Sequence, residues 1–155
     1  MARISREQMF MDIAEIVAKR SACLRNNVGA VIVNKDNNIV SIGYNGPAAG
    51  VPHCTKEICH KGCDIAIHAE DNSIKRMPDR ELYGPEDCLQ FKPYSLYVTV
   101  SPCINCAKLI VDRKDIVKVY YRYEYRDRSG IIYLLSQGIK VYRILTGGII
   151  NEEQL

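Results

Sequence analysis

The sequence lacks tryptophan and has only two phenylalanines among its 155 residues, so ten tyrosines carry most of its aromatic surface. It also lacks any apolar run near the ~18 residues that suggest a membrane-spanning helix. The first residues, Met1 to Arg6, are polar and contain no signal-like apolar core. We therefore expect a cytoplasmic protein with no membrane partner.

Neither sign of charge is in large excess. The 21 Lys and Arg residues against 18 Asp and Glu residues give a formal net charge of +3 and a pI of about 8.4. A dedicated nucleic-acid binder is expected to be more strongly basic, so the balance makes a nucleic-acid partner unlikely. It is compatible with a small anionic substrate.

Internal repeats and low-complexity segments are also missing, and the length suits one domain over residues 1–155. Seven cysteines are an odd number, and several have metal-like spacings. Reduced thiols and metal binding are therefore favoured over disulfides. The cysteines are Cys23, Cys54, Cys59, Cys63, Cys88, Cys103 and Cys106.

Hydrophobic periodicity and turn residues predict an α/β protein. Strands and helices alternate after residue 66, which favours crossover connections and a sheet covered on both faces. We predict helices at 5–20, about 67–77, 103–112 and about 130–137, and strands at 28–33, 39–44, 95–100, 116–121 and 140–144. The predicted fold is a three-layer α/β/α arrangement with a five-stranded mixed sheet, followed by a tail at 147–155.

Two short motifs point to a catalytic zinc site: His68-Ala69-Glu70, and Ser101-Pro102-Cys103-Ile104-Asn105-Cys106. One imidazole and two thiolates would supply three ligands of a tetrahedral ion and leave the fourth position to a water. Glu70, two residues beyond a ligand, could then take a proton from that water and pass it to a leaving amine. This pair of motifs is the signature of zinc nucleobase deaminases.

Two other interpretations of these motifs remain open. A Cys-x-x-Cys pair can belong to a closed structural zinc site or act as a redox pair. A carboxylate placed like Glu70 is unusual beside a structural zinc ion, which four protein ligands enclose. The predicted strand before Pro102 also places both cysteines on the first turn of a helix, where the helix dipole favours thiolates.

The chain from about Ile4 to Ile144 resembles the cytidine deaminase superfamily and, within it, the deoxycytidylate (dCMP) deaminases. The narrower resemblance rests on the segments 20–25 (RSACLR), 28–33 (VGAVIV), 43–47 (GYNGP) and 52–54 (PHC). The 21 residues from Pro47 to Ile67 also resemble the insertion that dCMP deaminases carry before the first zinc ligand.

The resemblance implies zinc-dependent hydrolysis of dCMP to dUMP and ammonia, supplying dUMP for thymidylate synthesis, with dCTP as a further possible substrate. It implies that His68, Cys103 and Cys106 hold Zn²⁺ and that Glu70 moves protons to N3 and to the departing ammonia. Substrate-binding residues implied by it are Arg25, Asn26, Asn45, Ser101, Tyr121 and Arg122. Arg25 and Arg122 are expected to bind the phosphate, since a guanidinium can bind phosphate oxygens in a fork.

The resemblance also implies a hexamer activated by dCTP and inhibited by dTTP, with Mg²⁺ on the triphosphate. Regulatory residues are then expected at Tyr44, Gly46, Gly50 and His53. The loop 46–63 contains soft ligands that could hold a second metal, namely Cys54, Cys59, His60 and Cys63, although buried small side chains would explain them equally.

Two alternative functions remain. A deaminase acting on a base in RNA or single-stranded DNA would need a groove of cations and stacking aromatic side chains, which the modest charge does not favour. A non-catalytic zinc module would retain the fold, but it would have no use for Glu70.

Overall fold

We describe the protein from a computed structural model, in which residues 2–57 and 65–155 are described. The described helices are α1 (Arg6–Ala18), α2 (Ala69–Lys75), α3 (Ile104–Arg113) and α4 (Ser129–Ser136). The long strands are β1 (Gly29–Asn34), β2 (Ile39–Tyr44), β7 (Tyr94–Val100), β8 (Ile116–Tyr123) and β9 (Lys140–Ile144). The short strands are β3 (Gly46–Pro47), β4 (Ala66–Ile67), β5 (Leu82–Tyr83), β6 (Gln90–Phe91) and β10 (Ile150–Glu152).

The main sheet has the strand order β10-β9-β8-β7-β1-β2. The pairs β7–β8 and β8–β9 are parallel, while β1 pairs antiparallel with both β2 and β7. The parallel pairs arise from two crossovers, through α3 and α4, as the alternation of elements predicted. The predicted α/β class and mixed sheet are confirmed.

The sheet is covered on both faces because its central strands are apolar on both sides. Helix α1 packs on one face, where Phe10, Met11 and Ala14 meet the tyrosines of β7 and β8. Those tyrosines, Tyr97 and Tyr120, stack with ring centroids 4.5 Å apart. Helices α2, α3 and α4 cover the other face, with the apolar core between them and the sheet. Three layers result.

The sequence prediction was wrong about the end of the chain, where a tail was expected at 147–155. Ile150–Glu152 forms β10, which pairs antiparallel with β9 as a sixth strand of the main sheet. The strand is short and its three residues are exposed, so it shows none of the apolar alternation that identifies a strand in a sequence.

None of the helices formed by the described residues has the length and apolar character that crossing a membrane requires.

Candidate active site

Two helix N-termini meet at the carboxyl edge of β7. His68 is the N-cap of α2, and Cys103 is the N-cap of α3, three residues after β7 ends. Pro102 lies between β7 and α3. Because proline has no N–H to donate to a neighbouring strand, the strand ends before it and the chain turns into α3. The carboxyl edge of parallel strands is where ligands bind in open α/β sheets.

The three predicted metal ligands converge at this edge. Their ligand atoms all lie within 4.8 Å of one another, and His68 Nδ1 is 3.6 Å from Cys103 Sγ and 3.3 Å from Cys106 Sγ. A tetrahedral zinc with Zn–N of ~2.0 Å and Zn–S of ~2.3 Å separates its ligand atoms by roughly 3.5 Å. The donor set and its spacing therefore fit zinc.

Hydrogen bonds among the three candidate ligands shift the pKa of each of them. Hydrogen bonds from Cys106 and then from His68 lower the pKa of the Cys103 thiol to about 3. The pKa of Cys106 is raised instead, first by its hydrogen bond to Cys103 and then by burial. The hydrogen bond to Cys103 raises the pKa of His68 to about 9. Zinc binding would release protons from these groups, because it takes thiolates and neutral imidazole.

Glu70 lies beside this cluster on the first turn of α2. Its side chain is buried, with the residue only 4% exposed, and burial raises the pKa of its carboxyl to about 7. A carboxyl with a pKa near neutrality can both accept and donate a proton, which is the property that general acid–base catalysis needs. It is not a member of the three-residue ligand set.

A cavity of about 390 Å³ opens above these residues. Four of the predicted substrate residues line it together with His68, Glu70 and Cys103; these are Arg25, Asn26, Asn45 and Ser101. The remaining lining residues were not singled out from the sequence; they are Cys23, Val28, Ala66, Ala69, Val100, Tyr125 and Arg126.

Asn45 holds one wall of the cavity in place. Its Oδ1 accepts hydrogen bonds from Ser21 Oγ at 2.7 Å and from the Val28 amide at 2.8 Å, and its Nδ2 donates to the Asn26 carbonyl at 2.7 Å. The loop that carries Arg25 is therefore closed on the Asn45 side chain. Within residues 2–57 and 65–155 the Asn45 amide nitrogen donates to Asn26 alone, which leaves its second N–H for a ligand.

Ser101 holds a second part of the cavity lining in place. Its hydroxyl accepts a hydrogen bond from the Tyr125 amide at 2.7 Å, and its own amide donates to the Tyr123 carbonyl at 2.8 Å. These bonds fix the segment after β8, which presents Tyr125 and Arg126 to the cavity.

The structure does not bring Tyr121 and Arg122 to the cavity. Strand β8 continues to Tyr123, beyond the predicted end at residue 121, so both residues lie within the sheet. Tyr121 is fully buried, and its hydroxyl donates to Glu153. Arg122 lies under α1, where it forms ion pairs of 3.1 Å with Asp12 and Glu15.

Arg126 lines the cavity, whereas Arg122, which the sequence assigned to phosphate binding, does not. Neither Arg25 nor Arg126 forms an ion pair with a carboxylate in the described part of the chain, so both guanidinium groups are available to an anion. The signal that could have identified Tyr125 and Arg126 was position alone, since residues just past the carboxyl end of a parallel strand reach such a cavity.

None of the four predicted regulatory residues is among the residues that line the cavity. Tyr44 has its carbonyl bonded to Asn72 Nδ2 at 2.9 Å, and Gly46 is in β3. Gly50 has a positive φ of 84°, and His53 is exposed. Of the predicted second metal site, Cys54 is buried, whereas Cys59, His60 and Cys63 lie outside the described residues.

Comparisons with known proteins agree with this geometry. Residues 4–123 match the family described as "Cytidine and deoxycytidylate deaminase zinc-binding region". ComE operon protein 2 of Bacillus subtilis is 40% identical over 149 residues, which cover 93% of this chain and 74% of that protein. Deoxycytidylate deaminase of Mycobacterium phage D29 is 32% identical over 126 residues, which cover 71% of this chain and 89% of that protein.

Among solved structures, dCMP deaminase of the cyanophage S-TIM5, in complex with dCMP and dUMP, is similar over nearly its whole length. Its TM-score is 0.76 at 30% identity, and the match covers 92% of this chain and 99% of that one. With the family match over most of its length and the His68, Cys103 and Cys106 cluster in place, this chain belongs to the cytidine and deoxycytidylate deaminase family.

Proposed function

We propose that this protein is a zinc-dependent hydrolase that converts dCMP and water to dUMP and ammonia. The observation that carries the proposal is the juxtaposition of Glu70 with the His68, Cys103 and Cys106 cluster at the base of a cavity that contains two arginines. A structural zinc site would need neither the buried carboxyl nor the cavity.

His68, Cys103 and Cys106 would hold the zinc ion, whose role when bound is to act as a Lewis acid that lowers the pKa of a water. Glu70 accepts a proton from the attacking water as that water adds to C4 of the cytosine ring. It passes the proton to N3, and subsequent proton transfers allow the C4–N bond to break and ammonia to leave. The burial that raises the pKa of Glu70 keeps its two protonation states close in free energy.

The two arginines favour a nucleotide over a nucleoside. Arg25 and Arg126 both line the cavity; Asn45 holds the segment that carries Arg25, and Ser101 holds the segment that carries Arg126. Two guanidinium groups with no carboxylate partner among the described residues match a phosphate monoester, which carries close to two negative charges at neutral pH. The second N–H of the Asn45 amide can donate to a hydroxyl of the deoxyribose.

The finer parts of the proposal rest on the family resemblance. We extend it to a cytoplasmic single-domain enzyme that supplies dUMP for thymidylate synthesis and assembles as a hexamer. We extend it also to activation by dCTP and inhibition by dTTP with Mg²⁺. The adjacency of Tyr44 and Gly46 to the wall residue Asn45 supports a route from an effector to the substrate, provided that the effector binds two states of that wall unequally.

The experiment is a substrate panel. The purified zinc-loaded protein is incubated separately with dCMP, CMP, dCTP, deoxycytidine and a cytosine-containing single-stranded DNA, and ammonia release is measured. We expect the highest kcat/KM with dCMP. Preference for the single-stranded DNA would favour a base deaminase instead, and no ammonia from any substrate would favour a non-catalytic zinc module.

A further inference from the structure

The C-terminal strand contacts the segment that carries Tyr125 and Arg126. The backbone amide of Glu153, which directly follows β10, donates to the Val141 carbonyl of β9 at 2.8 Å. Its side chain accepts hydrogen bonds from the buried Tyr121 hydroxyl and, at 2.9 Å, from Arg128 Nη2. One carboxylate thus joins the sheet interior to the start of α4.

Arg128 connects Glu153 to the segment that carries the cavity residues Tyr125 and Arg126. It forms a second ion pair with Glu124, the first residue of the segment that follows β8, and Arg143 Nη1 of β9 bonds the other carboxylate oxygen of Glu124 at 3.1 Å. Tyr125 and Arg126 lie between Glu124 and Arg128 in the chain. Both ends of this short segment are therefore attached to one network that includes Glu153.

The Glu153 contact is stronger than an exposed ion pair. Its side chain is only 16% exposed, and burial opposes its ionisation, yet the hydrogen bonds from Tyr121 and Arg128 outweigh burial and lower the pKa of its carboxyl. A buried hydroxyl such as that of Tyr121 is costly to leave without a partner. Exposed ion pairs such as Arg128–Glu124 contribute little to stability when isolated. The bond from Arg128 to the largely buried Glu153 is therefore what holds the Arg128 side chain in position.

We propose that Glu153 is a positioning residue that, through Arg128 and Glu124, holds Tyr125 and Arg126 in place to bind the phosphate of the substrate. The inference depends on the proposed function for the identity of the substrate. The contact of Glu153 with the 124–128 segment does not depend on it. The effect expected is on binding, because Glu153 does not line the cavity or touch the zinc ligands.

The test compares Glu153→Ala with Glu152→Ala, a matched control that removes the same charge from the neighbouring exposed position of β10. Hydrogen exchange is followed in peptides that cover residues 124–128. We expect faster exchange in this segment for Glu153→Ala only, with one zinc per chain retained in both variants. Unchanged exchange, or equal acceleration in Glu152→Ala, would overturn the proposal.

Kinetics supply the second readout. With dCMP, Glu153→Ala should raise KM by about 3- to 10-fold with kcat nearly unchanged, the split expected when only substrate binding is weakened. Glu153→Gln, which keeps a hydrogen-bond acceptor for Tyr121, should recover part of the loss. A fall in kcat of about 3- to 10-fold with KM unchanged would overturn the positioning role. If the wild-type protein leaves dCMP unaltered, dCMP is not its substrate and the proposed function is wrong. The hydrogen-exchange comparison would still test whether Glu153 holds the 124–128 segment.

Discussion

Gly130, at the start of α4, packs directly on the backbone of Pro102, next to the candidate zinc ligand Cys103. A Cβ at this position would lie 2.0 Å from the Pro102 carbonyl oxygen and 2.9 Å from the Cys103 carbonyl carbon. No side chain fits at such a distance, so the absence of a Cβ allows α4 to approach the metal centre.

Gly130→Ala should therefore displace the Pro102–Cys103 segment. Overpacking costs about 1 to 3 kcal/mol of the free energy of unfolding, which lowers the melting temperature of a protein of this size by roughly 2 to 12 °C. We expect weaker zinc retention as well, because Cys103 moves with the backbone. Differential scanning calorimetry and metal analysis check both.

The matched control for this substitution is Gly46→Ala. A Cβ at Gly46 would have no atom of the described residues within 4 Å, and Gly46 does not have a positive φ. A Gly130→Ala protein as stable and as zinc-rich as Gly46→Ala would show that the contact between α4 and the ligand segment is unimportant.

Glu70→Gln should separate chemistry from metal binding. Glutamine keeps the size of the side chain but cannot carry the proton, so turnover of dCMP should fall by about 10²- to 10⁴-fold. Zinc content should stay at one ion per chain, because Glu70 is outside the ligand set. Near-normal turnover by this variant would remove Glu70 from the mechanism.

Cys103→Ala and Cys106→Ala should each lose zinc and activity together, since two remaining ligands hold the ion poorly. Cys23→Ala is the control, because Cys23 lines the same cavity but is not in the ligand set. Metal analysis after gel filtration distinguishes them. Full zinc occupancy in Cys103→Ala would contradict the assigned ligands.

Arg25→Ala and Arg126→Ala should lower kcat/KM for dCMP by about 10- to 100-fold, the effect of losing a hydrogen bond to a charged group. Slow deamination of deoxycytidine should hardly change, because it has no phosphate. Saturation curves with both substrates provide the measurement.

Arg122→Ala is the informative comparison for these two variants. Its ion pairs with Asp12 and Glu15 connect β8 to α1, away from the cavity. Its loss should reduce thermal stability and affect both substrates equally. A selective loss of dCMP turnover in Arg122→Ala would restore the role that the sequence assigned to it.

The convergence of His68, Cys103 and Cys106 beside Glu70 could be predicted from the sequence because each motif is local. His68 and Glu70 are two residues apart, Cys103 and Cys106 three, and a strand followed by Pro102 fixes where the second motif lies. The only long-range requirement is that β4–α2 and β7–α3 meet, and the alternation of strands and helices supplies it.

The presence of Arg126 in the cavity and the C-terminal strand β10 could not be predicted in the same way. Two additional residues in β8 decide whether residue 122 or residue 126 reaches the cavity, and strand ends are not fixed by hydrophobic pattern. Strand β10 is exposed and pairs with the neighbouring strand β9, so apolar alternation does not reveal it. The contacts of Glu153 with Tyr121 and Arg128 join residues far apart in the sequence, and no local pattern predicts them.

Gly43 is a related case, since it directly precedes Tyr44, one of the residues predicted to be regulatory. A Cβ at Gly43 would lie 2.4 Å from the Ala69 carbonyl oxygen, so close packing of β2 on α2 accounts for this glycine. The sequence pattern alone does not distinguish a glycine required by packing from one required by movement.

The most direct test of the central claim is incubation of the zinc-loaded protein with dCMP in ¹⁸O-labelled water, followed by mass spectrometry of the nucleotide and measurement of ammonia. The account predicts dUMP that carries one ¹⁸O at C4, with one ammonia released for each dUMP formed, and a loss of both products in Glu70→Gln. Unaltered dCMP recovered from a protein that holds one zinc per chain would contradict it.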